Sequence, residues 1–258
     1  MLLLEVTGAH AQADPNLEGL AKVAQNPVAN LISVPFQENA NLNAGPFDRE
    51  LNVLNIQPVI PFDVNDDWNI ITRTILPIIS QPGFVPNQGR ANGLGDTQIS
   101  ALLSPAKPGA FIWAVGAITQ LPTHTDPVLG NDHVGFGPTF AMLHLEKCDP
   151  WVYGMLLNNV WSTGTSRSPA YSNGVMQIFC NFNLKGGTYI TSSPLITANW
   201  KARGSQQFTV PMGGGIGKIF KVGKLPVNTQ VSAYYNIVNP DFSPNWQIRL
   251  QAQLMFPK

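Results

Sequence analysis

From Trp246 to Phe256 the chain alternates strictly between two kinds of residue. Trp246, Ile248, Leu250, Ala252, Leu254 and Phe256 fall on one parity, and Gln247, Arg249, Gln251 and Gln253 on the other. A β-strand sends successive side chains to opposite faces, so this stretch predicts a strand with one apolar face and one face of amides and a guanidinium. In a soluble sheet the apolar face would be core. In an outer-membrane barrel it would meet lipid, and the polar face would line a lumen. One strand does not separate these two readings.

Period-two segments of the same kind follow one another from residue 30 to the end. Twelve are predicted, at 30–38, 51–60, 68–79, 96–104, 110–121, 134–146, 151–162, 173–184, 188–200, 207–220, 227–238 and 246–256. They are uniformly long. Soluble strands usually run five or six residues, whereas a tilted strand needs about 9 to 11 to cross a bilayer. The connections alternate as well. Short turns at 104–109, 146–150, 184–187 and 221–226, with a middling link at 61–67, are interleaved with longer polar loops at 80–95, 122–133, 163–172, 201–206 and 239–245. That rhythm fits a barrel with short periplasmic turns and long extracellular loops. Pro58, Pro77, Pro138, Pro194 and Pro211 fall inside predicted strands, where each removes a ladder donor and calls for a bulge or a break. The run MGGGIGK (212–218) lacks the spacing and following helix of a phosphate loop and reads as glycine kinks in a curved wall.

The first residues are of a different kind. Leu17, Leu20, Ala21 and Ala24 recur at helical spacing after Asp14-Pro15, and Pro27 ends the pattern. Residues 1–13 read as the tail end of a secretory signal, with Ala11-Gln12-Ala13 in the small-x-small form of a cleavage site. The expected organisation is therefore a signal remnant at 1–13, an N-terminal periplasmic arm and candidate plug at 14–28, and a barrel over 29–258. The fold class is all-β: a single antiparallel up-and-down transmembrane β-barrel of about twelve strands with a short helical arm.

Composition agrees with a wall between lipid and water. Charged residues make up 12% of the 258-residue chain and the formal net charge is zero, while Asn, Gln, Ser and Thr supply the polarity. Soluble domains usually carry about 25% charge. Neutrality also argues against a nucleic-acid footprint. No apolar run is long enough for a membrane-spanning helix. Cys148 and Cys180 make no framework, and either a disulfide or two free thiols fits the pattern.

Several stretches together resemble a known family. They are NPVANLISVPFQ (26–37), TRTILPII (72–79), LGDTQISALLSPAKPG (94–109), FIWAVGAITQLPT (111–123), NNVWS (158–162), SSPLITANWKA (192–202), VPMGGGIGK (210–218) and PVNTQVSAYYNIV (226–238). The resemblance is to the bacterial outer-membrane β-barrel family named for the meta-pathway of phenol degradation, whose members are often labelled transporters or, misleadingly, neuromedin U. It spans nearly all of residues 14–258. It implies a Gram-negative outer-membrane barrel that passes small molecules, aromatic or hydrophobic compounds among them. It supplies no catalytic residues.

Parity assigns candidate lumen-lining, solute-binding residues: Gln57, Arg73, Gln98, Gln177, Asn181, Asn228, Gln230, Ser232, Asn236, Arg249, Gln251 and Gln253. Two readings stay open: an amide-lined passage with Arg73 and Arg249 as fixed positive charges, or a hydrogen-bonded network that fills the interior. Twelve strands lie between the roughly 8 that side chains fill and the 16–18 that leave a wide channel, so the lumen is expected to be narrow. Trp68, Trp113, Trp151, Trp161, Trp200 and Trp246 fall near strand ends, as an interfacial girdle requires.

Enzyme chemistry has little support. His124 and His133 share a loop with Asp126 and Asp132, which offers the residue types of a metal or hydrolase centre, and His144 has no serine partner in a G-x-S-x-G motif. The reading is an outer-membrane channel or transporter with no catalytic, metal or cofactor site. Its partners are membrane lipid and a small-molecule solute, with no nucleic acid and the oligomeric state left open. The alternatives are an outer-membrane lipid-modifying hydrolase and a soluble secreted β-sandwich that binds ligands.

Overall fold

The fold is a closed antiparallel barrel of twelve strands, seen in a computed structural model that describes residues 15–107, 109–146, 148–165 and 169–256. The strands are β1 (Ile32–Ala44), β2 (Arg49–Ile56 and Val59–Asp63), β3 (Trp68–Gln81), β4 (Ala91–Leu94 and Thr97–Pro105), β5 (Phe111–Leu121) and β6 (Gly135–Leu145). They continue as β7 (Trp151–Trp161), β8 (Ser172–Asn183), β9 (Thr188–Ser192 and Leu195–Asn199), β10 (Phe208–Val222), β11 (Leu225–Val238) and β12 (Trp246–Phe256). Each pairs with its neighbours in sequence, and β1 closes on β12 from Ile32↔Phe256 to Leu42↔Trp246. A closed ring has no free sheet edge, and it rules out the two-sheet sandwich. The expected signal remnant at 1–13 lies outside the described residues.

Proline accounts for part of the irregularity. β2 is interrupted at Gln57-Pro58, where the Gln57 amide still donates to the Pro35 carbonyl at 2.9 Å and the Pro58 carbonyl accepts from the Thr74 amide at 3.0 Å, and β9 is interrupted at Ser193-Pro194. Pro211 sits in a register shift between β10 and β11, and pairing of β6 with β7 lapses at Pro138. Pro77 stays in register with Asn55 and Pro138 with Ala117, each on one side only. β4 breaks at Gly95-Asp96, opposite Pro77, whose carbonyl accepts from the Gly95 amide at 2.9 Å, and the Asp96 side chain is committed to the loop above it.

Connections differ from expectation at one rim. The first hairpin is tight, its turn confined to 45–48, because β1 runs on through Ala44 where the sequence pattern stops at 38. Asn39 and Asn41 carry the polar parity onward and were absorbed by the expected loop. The 80–95 loop also shrinks, since β3 extends to Gln81 and β4 starts at Ala91.

The outer wall is apolar. Phe36, Ile99, Val115, Met142, Ile178, Ile190, Ile216, Val231 and Leu250 are all large and exposed. Such a continuous apolar surface is untenable in water and suits a hydrocarbon environment. Trp68, Trp113 and Trp151 lie at the rim that carries both ends of the barrel, and Trp161, Trp200 and Trp246 at the opposite, loop-bearing rim. Edge-to-face or tilted contacts tie several of them to aromatic neighbours, including Trp68–Trp113 at 5.9 Å and Tyr235–Trp246 at 5.0 Å. Glu38 is an exception on this wall. Its register partners are Leu54 on β2 and Leu250 on β12, on the same outward parity as Phe36.

The helix α1 (Pro15–Ala24) packs against the inside of the terminal rim. Its buried Ala21, with Leu17, Leu20 and Ala24, meets the inward-facing Ile219 and Met255 together with Ala29 and Leu31. Polar contacts fix its seat. Lys22 Nζ donates to the Glu146 and Asp149 carbonyls at 2.8 and 2.6 Å, and Gln25 exchanges amide hydrogen bonds with Asn183 at 2.8 and 3.2 Å. Cys148 and Cys180 are free thiols, both exposed.

Candidate functional site: a divided lumen

Inside, the wall has two sectors. From β3 to β8 an apolar cluster of Ile71, Leu102, Ile112, Leu143, Val152, Leu156 and Phe179, capped by Val28 from the chain after α1, lies among inward polar side chains that include buried Asn69, Ser100, Ser104, Gln120, Thr139 and Asn181. From β9 through β12 to β1 the inward side chains are mostly polar, with buried Thr191, Ser193, Asn228, Gln230, Ser232, Arg249, Gln253, Asn39 and Asn41. An apolar patch thus interrupts the polar lining of the lumen on the side of β3 to β8. Inward parity shows which residues face in, but the gathering of that patch depends on many strands meeting at once.

Much of the polar sector is bonded to itself. Tyr189 Oη donates to Asn228 Oδ1 at 2.8 Å, Asn228 Nδ2 to Gln253 Oε1 at 3.2 Å, and Gln230 Nε2 to Ser232 Oγ at 2.9 Å. Gly217 makes room for this arrangement: a Cβ there would come within 2.1 Å of Tyr189 Cζ. Arg249 is tied down by neutral acceptors. Its Nε donates to Asn39 Oδ1 at 3.2 Å, its Nη1 to Ser193 O and Oγ at 2.9 and 3.2 Å, and its Nη2 to Gln247 Oε1 at 2.9 Å. Tyr189, Ser193, Tyr234 and Asn39 were not among the candidates. Tyr234 shares the inward parity of Gln230 and Asn236, so the signal was present.

Arg73 is in another situation. Its Nη2 donates to Gln57 Oε1, and the guanidinium makes no other hydrogen bond among the described residues. Neither Arg73 nor Arg249 has a carboxylate partner among them; the ion pairs found all involve His124 or His144.

Three cavities follow one another through the barrel. At the loop rim lies one of about 540 Å³, lined by Gln98, Asn158, Asn173 and Asn199. A neck of about 10 Å³ lies below it, shared by Gln98, Asn158, Leu156, Arg73 and Pro27. At the terminal rim is a chamber of about 140 Å³, where Arg73, Leu156 and Pro27 recur beside Gln57, Gln177, Asn181, Asn228, Gln230, Arg249, Gln251 and Gln253. The neck holds at most a single water. Arg73 thus stands where neck and lower chamber join. Gln98 belongs to the upper side, and Asn236 lines none of the three; its Nδ2 holds the Pro244 carbonyl at 2.7 Å and so anchors the last loop.

Among the described residues His124 and His133 do not fall in a grouping with metal-ligand spacing. His124 Nδ1 meets buried Asp96 at 2.7 Å, while its Nε2 lies 3.7 Å from Asp132 and not against a serine. Asp96 also accepts from Gln120 Nε2 at 3.0 Å and from the Asn131 amide at 2.7 Å, so the group anchors the 122–134 loop. Asp126 caps the turn at Pro127–Leu129 instead. Among the described residues the one grouping with metal-ligand spacing is His144, Glu146 and Asp149, on the outer wall at the terminal rim.

A closed twelve-stranded ring with an apolar belt, tryptophans at both rims and a polar, constricted interior has the fold of bacterial outer-membrane β-barrels. The solved structures it resembles are of that kind. An outer membrane channel from Pseudomonas putida F1 superposes with a TM-score of 0.62 at 15% identity, over 88% of this chain and 94% of that one. The NanC porin superposes at 0.55 with 7% identity, over 88% of this chain and all of that one. No protein-family model matches the chain, and no curated protein does.

Proposed function

We propose that the protein is an outer-membrane channel for small molecules, closed in this conformation by its N-terminal arm. One observation carries the reading: the cavities lie in series from rim to rim, and the stretch after α1 contributes Pro27 to the neck and to the lower chamber. Removing that stretch would join a wide vestibule to a polar chamber. The apolar belt supports residence in lipid, and the neighbouring channel and porin folds support the same class of work. The resemblance to the phenol meta-pathway family favours aromatic and hydrophobic solutes, and the apolar patch of the lumen offers surface for them. Among the described residues His124 meets Asp96 and Asp132 and not a serine, so it lends the hydrolase alternative no support.

Planar-bilayer recording tests this. The full chain is expected to give rare, small openings, and a variant lacking residues 15–28 steady, larger ones, once heat-modifiable gel migration shows that both are folded. Two folded proteins that pass no current would overturn the channel reading.

A further inference from the structure

We propose that Arg73 is the cationic half of a binding site for a small organic anion, a carboxylate on a compact apolar body, where the neck meets the lower chamber. The proposal rests on the channel reading of the same lumen and deepens it.

The two lumen arginines are not equivalent. Arg249 is buried and its donors are committed to Asn39, Ser193 and Gln247, so it contributes positive potential without a free hand. Arg73 has spent one donor, on Gln57, and lines the cavity with the rest. Neither charge is neutralised by an acid among the described residues. A cation inside a protein without a counter-charge is costly, and a ligand anion relieves that cost. The guanidinium fork matches a carboxylate in two parallel hydrogen bonds, which makes Arg73 the group that touches it.

The rest of the ligand is read from the surroundings. Gln177 and Gln251 line the same chamber and make no side-chain hydrogen bond to another described residue, so their amides are available to the lone pairs of the carboxylate that the fork leaves open. Leu156 and Phe179 line the same chamber and offer apolar contact. The chamber of about 140 Å³ suits a compact body better than a long chain. A site of this composition discriminates sharply against the neutral amide, because only the anion satisfies the charge.

Equilibrium dialysis of the detergent-solubilised full chain tests the site without requiring flux. The probes are cyclohexanecarboxylate, cyclohexanecarboxamide and acetate, against the parent, Arg73→Gln and Arg73→Lys, each shown to be folded by heat-modifiable migration. Cyclohexanecarboxylate is expected to bind the parent at least tenfold more tightly than either other probe. Arg73→Gln should lose at least tenfold, and Arg73→Lys should fall between. Equal binding to parent and Arg73→Gln, or equal binding of carboxylate and carboxamide, overturns the proposal. Acetate binding as tightly as cyclohexanecarboxylate overturns the apolar half of it. Carboxylate binding without bilayer current would sink the channel reading and leave the site standing; current without carboxylate binding would do the reverse.

Discussion

The guanidinium carbon of Arg249 lies 4.8 Å from the ring centroid of Tyr234, and the two side chains converge on Ser193 from different strands. This stack joins β12 to β11 and to the break in β9, and it makes Arg249 a structural residue. Arg249→Met should strip Asn39, Gln247 and Ser193 of their donor. The expected loss is about 2–3 kcal/mol, since buried acceptors are left unpaired. Urea unfolding in lipid vesicles, followed by tryptophan fluorescence, measures it; an unchanged midpoint would show that the network carries no stability.

Gly217 and Tyr189 give a second test. Gly217→Ala places a methyl in the volume of the phenol ring, and overpacking of this kind costs about 1–3 kcal/mol. Gly186→Ala, in a turn where a Cβ would meet nothing within 4 Å, serves as the comparison, although its φ of +72° carries a penalty of its own. The Tyr189→Phe, Gly217→Ala double variant should recover only part of the loss, because the methyl would strike the ring at 2.1 and 2.6 Å as well as the hydroxyl at 2.3 Å.

Glu38 faces outward between Leu54 and Leu250. A carboxylate on the hydrocarbon side of a barrel is unfavourable, though less so than a lysine or arginine. Glu38→Leu should therefore stabilise the barrel in vesicles by about 1 kcal/mol. A loss of stability would mean that Glu38 meets something other than lipid.

Tyr171 supplies a pH dependence outside the strands. Burial pushes its phenol up to about 12, and the Asp96 carboxylate adds to the shift. The folded state thus holds this proton more tightly than the unfolded chain does. Its contribution is complete below pH 10 and is lost as pH rises toward 12. The hydroxyl donates to the His133 carbonyl at 3.2 Å, so the 122–134 loop should loosen over that window. Proteolysis within the loop should rise across it in the parent and should be flat in Tyr171→Phe, already at the higher level.

The barrel was legible in the sequence because its evidence is local and repeated. Alternation from Trp246 to Phe256 fixes which side chains of β12 face out, and eleven similar segments rule out coincidence. Segment ends were harder. β1 continues past residue 38, where Asn39 and Asn41 donate to the Val53 and Leu51 carbonyls of β2 and accept from Arg249 and Gln247 of β12, partners that a window of amides does not reveal. Proline was legible as an irregularity but not as to kind: Pro58 and Pro194 interrupt their own strands, while Pro77 and Pro138 stay paired on one side and lapse on the other. The candidate site was the least legible part. Parity puts Arg73 and Arg249 on inward faces alike, yet their different commitments depend on Asn39, Ser193 and Gln57, which come from distant parts of the chain. The gathering of one apolar cluster from β3 to β8 is likewise a property of strand order around the ring.

Strand pairing leaves one ambiguity that backbone hydrogen bonds do not resolve. If β1 slid by two residues along β12, every side chain would keep its face and the ladder would re-form. The contacts across that junction would not: Arg249 would part from Asn39, and Gln247 from Asn41, to which it now donates at 3.0 Å. These inward amides act as a notch in which the last strand to dock finds its place. A barrel closed one notch off would be intact as a sheet and would still be the wrong molecule.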